Sequence, residues 1–337
     1  MGEAPKEMRA VYAEALIEVG RDLPELVVVE ADLMKATGTG VFAKAYPGRA
    51  VNVGVAEATL VGVASGLSVE GKIPFAATFA CFASRRAYDQ FFLSANYARL
   101  NVKLVGTDPG VAAAFNGGTH MPFEDLALMR AIPGLRVVEP SDPESLAAFV
   151  RLSAETRGCV YLRLQRQSAP ALYPAGESFE WGRAKVLRDG RRPSRDGAEN
   201  GGREDAVVVA LGAIMVGEAI KAAELLSVEG VRVTVIDALC LKPLDAGLIL
   251  EAARRCPLLV TAENHQATGG LGSAVAEILA EAGLGIRFAR IGVKDEFGEV
   301  GTQDWLQDRF GLRAANIVAT IKNLLQTGGE AGKAGSS

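Results

Sequence analysis

One carboxylate interrupts the run "VNVGVAEATLVGVASGL" at 51–67: Glu57 is the only charged residue among small and apolar neighbours. Burial favours the neutral form of an acid, so such a group is expensive unless it is hydrogen-bonded, paired or used. Glu57 is therefore either a satisfied structural carboxylate or an acid held for proton transfer. Downstream, "ATFACF" sets Phe79 and Phe82 three apart where a strand passes into a helix, the edge at which open α/β sheets bind ligands. Two aromatics there can clamp a flat heteroaromatic ring or simply pack in the core. His120, one of two histidines in the chain, follows two glycines in "AFNGGTHMPFED", a loop setting that suits a site. Arg166 ends "LRLQR" and can bind an anion or cap a sheet. All four features fall near expected strand ends of one domain.

The elements that must position them alternate. Short β-branched runs, "ELVVVEAD", "RAVNVGV", "IPFAATF", "NVKLVGT", "LRVVEPS" and "CVYLRLQ", are separated by helix-length segments. That is the pattern of a parallel sheet covered on both faces. "SRRAYDQFFLSANYARL" and "DPESLAAFVRLSAETRG" are read as helices, the second opened by an Asp and a first-turn Pro. Apolar residues nearly vanish in "RDGRRPSRDGAENGGRED", which is read as a linker or surface loop over 188–205. Alternation then restarts with "AVVVALG", "VRVTVIDAL", "PLLVTAEN" and "IRFARIG" and ends in the helix "AANIVATIKNLLQ". The expected organisation is an α/β domain over 1–187, a smaller α/β domain over 206–327 and a disordered tail over 328–337.

A chain of 337 residues that is 49% hydrophobic and 23% charged has ample material for two cores. A net charge of -4 gives no field to gather nucleic acid or an anionic membrane. No apolar run approaches a membrane span, and the N-terminal residues lack a signal-peptide core. Cys81, Cys159, Cys240 and Cys256 lie far apart and are read as reduced core thiols of a cytoplasmic protein.

Longer stretches carry a resemblance. "NVGVAEATLVGVASGLSVEG", "PFAATFACFASRRAYDQ", "GGTHMPFEDLALMRAIPGLRVVEPSD", "LQRQ", "ENHQATGGLGSAVAEIL" and "GVKDEFGEVG" resemble the transketolases, specifically the C-terminal subunit of split, two-polypeptide enzymes. The resemblance runs from about Arg9 to Leu325. It implies a pyrimidine-binding domain, with a central parallel sheet covered by helices on both faces, followed by a smaller C-terminal domain with a mixed sheet. It also implies the cofactor thiamine diphosphate, with Glu57 bonding N1' of the aminopyrimidine ring and exchanging a proton there. Phe82, with Phe79 beside it, matches the pyrimidine-stacking position; the next aromatic, usually Tyr, is Arg85. By the same resemblance Arg9 and Arg166 grip an anionic sugar end, and His120 contacts the donor's hydroxyls or carbonyl. Asn116 stands where the family usually has an Asp that reads a substrate hydroxyl. A phosphate-binding His near Thr107 and a Ser near Ala36 are missing, so a sugar other than the standard pentose phosphates becomes credible.

The Gly-Asp-Gly motif that binds the diphosphate and its Mg²⁺ or Ca²⁺ is absent from the sequence, so no metal ligands are assigned here. The glycines of "TGGLGSA" are read as a structural turn. The resemblance therefore implies an N-terminal partner subunit carrying that motif, in an α2β2 heterotetramer where this chain also associates with itself, acting on small sugars. Two alternatives remain near at hand: a 2-oxoacid dehydrogenase β subunit or a 1-deoxyxylulose-5-phosphate-synthase-like enzyme. A non-catalytic regulatory subunit is the third.

Overall fold

The computed structural model describes residues 6–191 and 203–334, without the side chains of 328–334. Among the described residues twelve strands form two sheets. They are β1 Leu26–Glu30, β2 Ala50–Asn52, β3 Ile73–Phe79, β4 Lys103–Thr107, β5 Arg136–Val138, β6 Val160–Leu164, β7 Lys185–Arg188, β8 Ala206–Leu211, β9 Val233–Asp237, β10 Cys240–Lys242, β11 Leu258–Gln266 and β12 Arg287–Val293. The first sheet runs β10-β5-β6-β4-β3-β1-β2 and is parallel except for β10. The second runs β12-β11-β8-β9-β7 and is parallel except for β7. Both are α/β layers, as the alternation of runs requires. Their central strands are buried on both faces, including every residue of β1, β4, β6, β8 and β9, so apolar runs rather than strict alternation encode them.

The helix Pro143–Glu155 starts as expected. Asp142 accepts from the Ser145 amide, the Ser145 hydroxyl closes the capping box, and Pro143 occupies the first turn, where no N–H is needed. The expected helix over 84–100 is broken instead. Wide π-helical turns at Phe82–Arg86 and Phe91–Tyr97 flank a single α-turn. Side chains take backbone acceptors there: Ser84 Oγ donates to the Ala80 carbonyl and Asn96 Nδ2 to that of Phe91.

The edge strands β7 and β10 were not read from the sequence, since β7 borders the polar stretch taken for a linker and β10 follows β9 after only two residues. The boundary expected at 187 falls within β7, which pairs with β9 in the second sheet, while β10 crosses back to pair with β5 in the first. Most of the expected linker, 192–202, lies outside the described residues. The last helix is Ala314–Ala334, so it runs through most of the stretch expected to be disordered. Buried Ile317 and Ile321 anchor its start, and extending an existing helix needs no new nucleus.

The two halves are joined by a buried polar cluster. Arg163 donates Nε and Nη2 to Asp125, at 2.7 and 2.9 Å, Nη1 to Glu139 at 2.9 Å, and Nη2 also to the carbonyl of Asn264 in the second half. Glu263 accepts from the amides of Leu271 and Gly272 at the start of the helix Leu271–Glu281. The glycine turn thus holds a carboxylate of the chain itself. The second histidine, His265, is buried, with Nδ1 2.8 Å from the Gln266 carbonyl. All four cysteines are free and buried. Among the described residues no helix is long and apolar enough to cross a membrane.

Candidate active site

Three neighbouring parallel strands of the first sheet, β6, β4 and β3, end side by side and deliver Arg166, Asp108 and Phe79 to one edge. Carboxyl ends of parallel strands are where such sheets place ligands. From the other side the loop after β2 leads into the helix Glu57–Val69, which sets Glu57 in its first turn, where the helix dipole favours an acid.

Glu57 is buried, at 3% exposure, yet it is paired. Arg86 Nη1 donates to both of its oxygens, at 3.1 and 3.0 Å. The guanidinium carbon of Arg86 also lies 4.2 Å from the centre of the Phe82 ring. Phe82 and Phe79 are tilted neighbours at 6.1 Å, and His120 stands edge-on to both, 5.1 Å from Phe82 and 6.0 Å from Phe79. Phe79 in turn lies 5.3 Å from the guanidinium carbon of Arg166. Glu57, Arg86, Phe82, His120, Phe79 and Arg166 are therefore one unbroken run of contacts.

Arg85 points to the histidine loop. Its Nη2 donates to the Thr119 carbonyl at 3.0 Å, and its Nε lies 3.1 Å from Glu124. Thr119 Oγ1 is 2.9 Å from His120 Nδ1, so Arg85 braces the residue that orients the imidazole. That loop also abuts the second domain. A Cβ on Gly118 would stand 2.1 Å from the Gly298 carbonyl oxygen, so only glycine permits the approach. Asn116 is exposed on the same loop, and its side chain has no hydrogen-bond partner among the described residues.

At the far end the backbone brings two arginines together. The amides of Met8 and Arg9 donate to the carbonyls of Gln167 and Arg166, each at 3.3 Å, as the helix Met8–Asp22 docks on the segment after β6. Gly38 makes room, since a Cβ there would meet the Arg9 carbonyl at 2.8 Å and its φ of 83° suits glycine. Arg166 Nε pairs with Asp108, which is 2% exposed. Burial pushes the Asp108 carboxyl up to about 6, even though Arg166 and Arg9 pull it down. Arg9 Nε pairs with Glu7 at 2.7 Å. Thr107, at the end of β4, is buried in the sheet and offers this edge no donor of its own.

Of the residues named from the sequence, Glu57, Phe79, Phe82, His120 and Arg166 meet in this run and Arg9 reaches it through the Arg166 carbonyl, whereas Asn116 joins no contact of it. Two residues were missed. Arg86 lies four positions after Phe82 in a helical segment, a spacing that places both on one face. Asp108 is the first residue after β4 and precedes Pro109, in a left-handed conformation with φ of 55°. An acid directly after a central strand was the available signal.

An α/β chain with a buried acid and a cluster of aromatic rings at its sheet edge, followed by a mixed-sheet domain, matches known families in both halves. Residues 4–171 match the transketolase pyrimidine binding domain, and residues 198–317 the transketolase C-terminal domain. The chain is 45% identical over 92% of its length, and 92% of the relative's, to the 6-deoxy-6-sulfo-D-fructose transketolase subunit SqwH of Clostridium sp. (strain MSTE9). It is 39% identical to a putative transketolase C-terminal section of Methanocaldococcus jannaschii, over 94% of this chain and 95% of that one. A solved split-gene transketolase, described as an inactive β4 tetramer, superposes with a TM-score of 0.84 at 41% identity over 96% of this chain and 99% of that one. The chain belongs to the transketolase family, whose members depend on thiamine diphosphate.

The slot between Glu57 and the Phe82 face has a carboxylate on one side and a ring on the other, the lining that a flat ring bearing N–H groups calls for. It already receives a flat group bearing N–H donors, the Arg86 guanidinium. With its side chain 53% exposed, Arg86 has solvent into which to turn aside.

Proposed function

We propose that the chain is the C-terminal subunit of a two-polypeptide transketolase that moves a two-carbon ketol unit from a ketose with a terminal anion to an aldose acceptor. The supporting observation is the contact run from Glu57 to Arg166, which links a cofactor end to an anion end through two rings and a histidine. Thiamine diphosphate, when bound, supplies the carbanion chemistry. Glu57 holds and returns a proton at the aminopyrimidine N1', and its surroundings of small residues let the ring approach. Phe82 and Phe79 stack against the ring, and His120 donates to or accepts from the donor's hydroxyl or carbonyl oxygens. Arg9 and Arg166 offer guanidinium donors to the terminal anion. The sulfonated substrate of the Clostridium relative makes a sulfonated ketose a concrete candidate.

The diphosphate and its metal are held by an N-terminal subunit, consistent with relatives that are themselves a subunit and a C-terminal section. Apolar side chains lie open beside the site, Val55 at 73%, Phe115 at 72% and Phe297 at 97% exposure, as expected of a surface that another chain covers. The test is reconstitution. The purified chain alone is expected to be inactive and to bind thiamine diphosphate weakly, and the N-terminal partner with Mg²⁺ to restore ketol transfer. Full activity of this polypeptide by itself, or turnover of pyruvate with a redox acceptor in place of ketol transfer, overturns the reading.

A further inference from the structure

Asp108 has no part in the reaction as proposed, yet it is buried against one arginine of the anion end and within electrostatic reach of the other. It also keeps a left-handed backbone, which disfavours most residues with a side chain, and its amide is pinned to the Leu164 carbonyl at 3.0 Å. Its pairing with Arg166 Nε leaves the two Nη groups of Arg166 without a hydrogen-bond acceptor among the described residues. They are the donors open to a ligand.

We propose that Asp108 is a positioning residue that sets the charge of the anion this end accepts. It cancels one of the two guanidinium charges, so that Arg9 and Arg166 select a singly charged head group, a sulfonate or sulfate ester, over a phosphate monoester. This rests on the reading of Arg9 and Arg166 as the anion grip.

A phosphate monoester carries about 1.5 to 2 negative charges at neutral pH, its second ionisation lying near 6. A sulfonate or sulfate carries one. Two guanidinium groups with one buried carboxylate present one net positive charge, which a monoanion neutralises and a dianion overshoots. The excess charge then stands close to Asp108 in a site too sheltered for water to screen it fully. Glu7, paired with Arg9, acts in the same direction but is half exposed and therefore well screened. Asp108 meets Arg166 at Nε, so the carboxylate sets the local charge while the Nη donors stay free for the ligand.

The experiment compares a ketose 6-sulfate with the same ketose 6-phosphate, a pair alike in shape and different in charge, in the complex reconstituted with the N-terminal subunit. Wild type is expected to favour the sulfate ester in kcat/KM by about tenfold, the scale of one unit charge in a partly sheltered site. Asp108→Asn is expected to lower that sulfate-to-phosphate ratio by about tenfold. Any general loss of folding or assembly cancels in the ratio. Arg166→Ala separates the two levels of the argument. If it slows neither anionic ketose, the anion grip itself is misplaced. If it slows both while Asp108→Asn leaves the ratio where it was, the grip stands and the charge-setting role is overturned. A wild-type preference for the phosphate ester overturns that role without any variant.

Discussion

Arg86 bridges both oxygens of Glu57, at 3.1 and 3.0 Å, while its guanidinium lies 4.2 Å from the centre of the Phe82 ring. The acid that stood alone in the sequence is thus half of an ion pair whose other half comes from the next helical segment. Replacing Arg86 with Gln leaves a buried carboxylate without its cation, which costs about 1–3 kcal/mol. Urea unfolding of the chain without partner or cofactor should show that loss. Glu57→Gln with Arg86→Gln should recover much of it, giving a coupling of about 1 kcal/mol in the cycle. Additive single effects refute the pairing.

In the reconstituted complex Glu57→Gln alone keeps the side chain's shape and removes its exchangeable proton. Turnover should fall by at least about a hundredfold, the scale of a lost acid–base group, while isothermal titration still detects cofactor binding. A fully active variant returns Glu57 to a purely structural role.

Arg85→Ala removes the donor to the Thr119 carbonyl and so loosens the residue that orients His120. One lost hydrogen bond of this kind is worth about 1 kcal/mol. The KM of the ketose donor should rise about fivefold, with a smaller change in the unfolding midpoint. Unchanged donor kinetics show that His120 needs no brace.

The joint between the domains carries a pH dependence. Burial pushes the Glu139 carboxyl up to about 7, Arg163 opposing it, from an ordinary value of 4.5. The folded state then holds a proton that the unfolded chain has released, so this contribution to stability is present below about 4.5 and is lost as pH rises to 7. Glu139→Gln removes the term. Its stability relative to wild type should therefore rise between pH 5 and 7.5, by on the order of 2 kcal/mol. Glu263, also raised to about 7, and His265, lowered to about 4, titrate in both proteins and largely cancel in the comparison. Parallel stability curves contradict the shift.

All ten runs named in the sequence became strands, the central ones legible because burial on both faces writes them as predominantly apolar runs, while β2 and the first half of β12 are exposed or half-buried and were read from their β-branched residues and their place in the alternation. Glu57, Phe79, Phe82 and His120 were legible because each stands out against its local stretch. Arg86 and Asp108 were not. Arg86 sits beside Arg85 in a polar run, and nothing local says which guanidinium turns to the acid and which to the histidine loop. Asp108 looks like a turn residue ahead of Pro109 until β4 and β6 are adjacent and Arg166 lies across from it. The buried Arg163 cluster was equally hidden, since its partners Asp125, Glu139 and Asn264 come from separate elements.

The histidine loop also depends on a close backbone approach between the domains. A methyl at Gly118 would stand 2.1 Å from the Gly298 carbonyl oxygen and 2.8 Å from its carbon, and backbone cannot swing aside as a flexible side chain can. Gly118→Ala must therefore displace the loop that carries Thr119 and His120, costing about 1–3 kcal/mol in stability. Ketol transfer should fall by more than the stability loss explains, because His120 moves with the loop. Gly217, inside the helix Gly212–Val228, is the control, since a methyl added there would meet nothing within 4 Å. Gly217→Ala should stabilise by about 0.5–1 kcal/mol by removing chain entropy and leave transfer unaffected. Urea midpoints and donor kinetics for both variants decide the matter. A Gly118→Ala protein that matches wild type in both shows that the two loops do not meet as described.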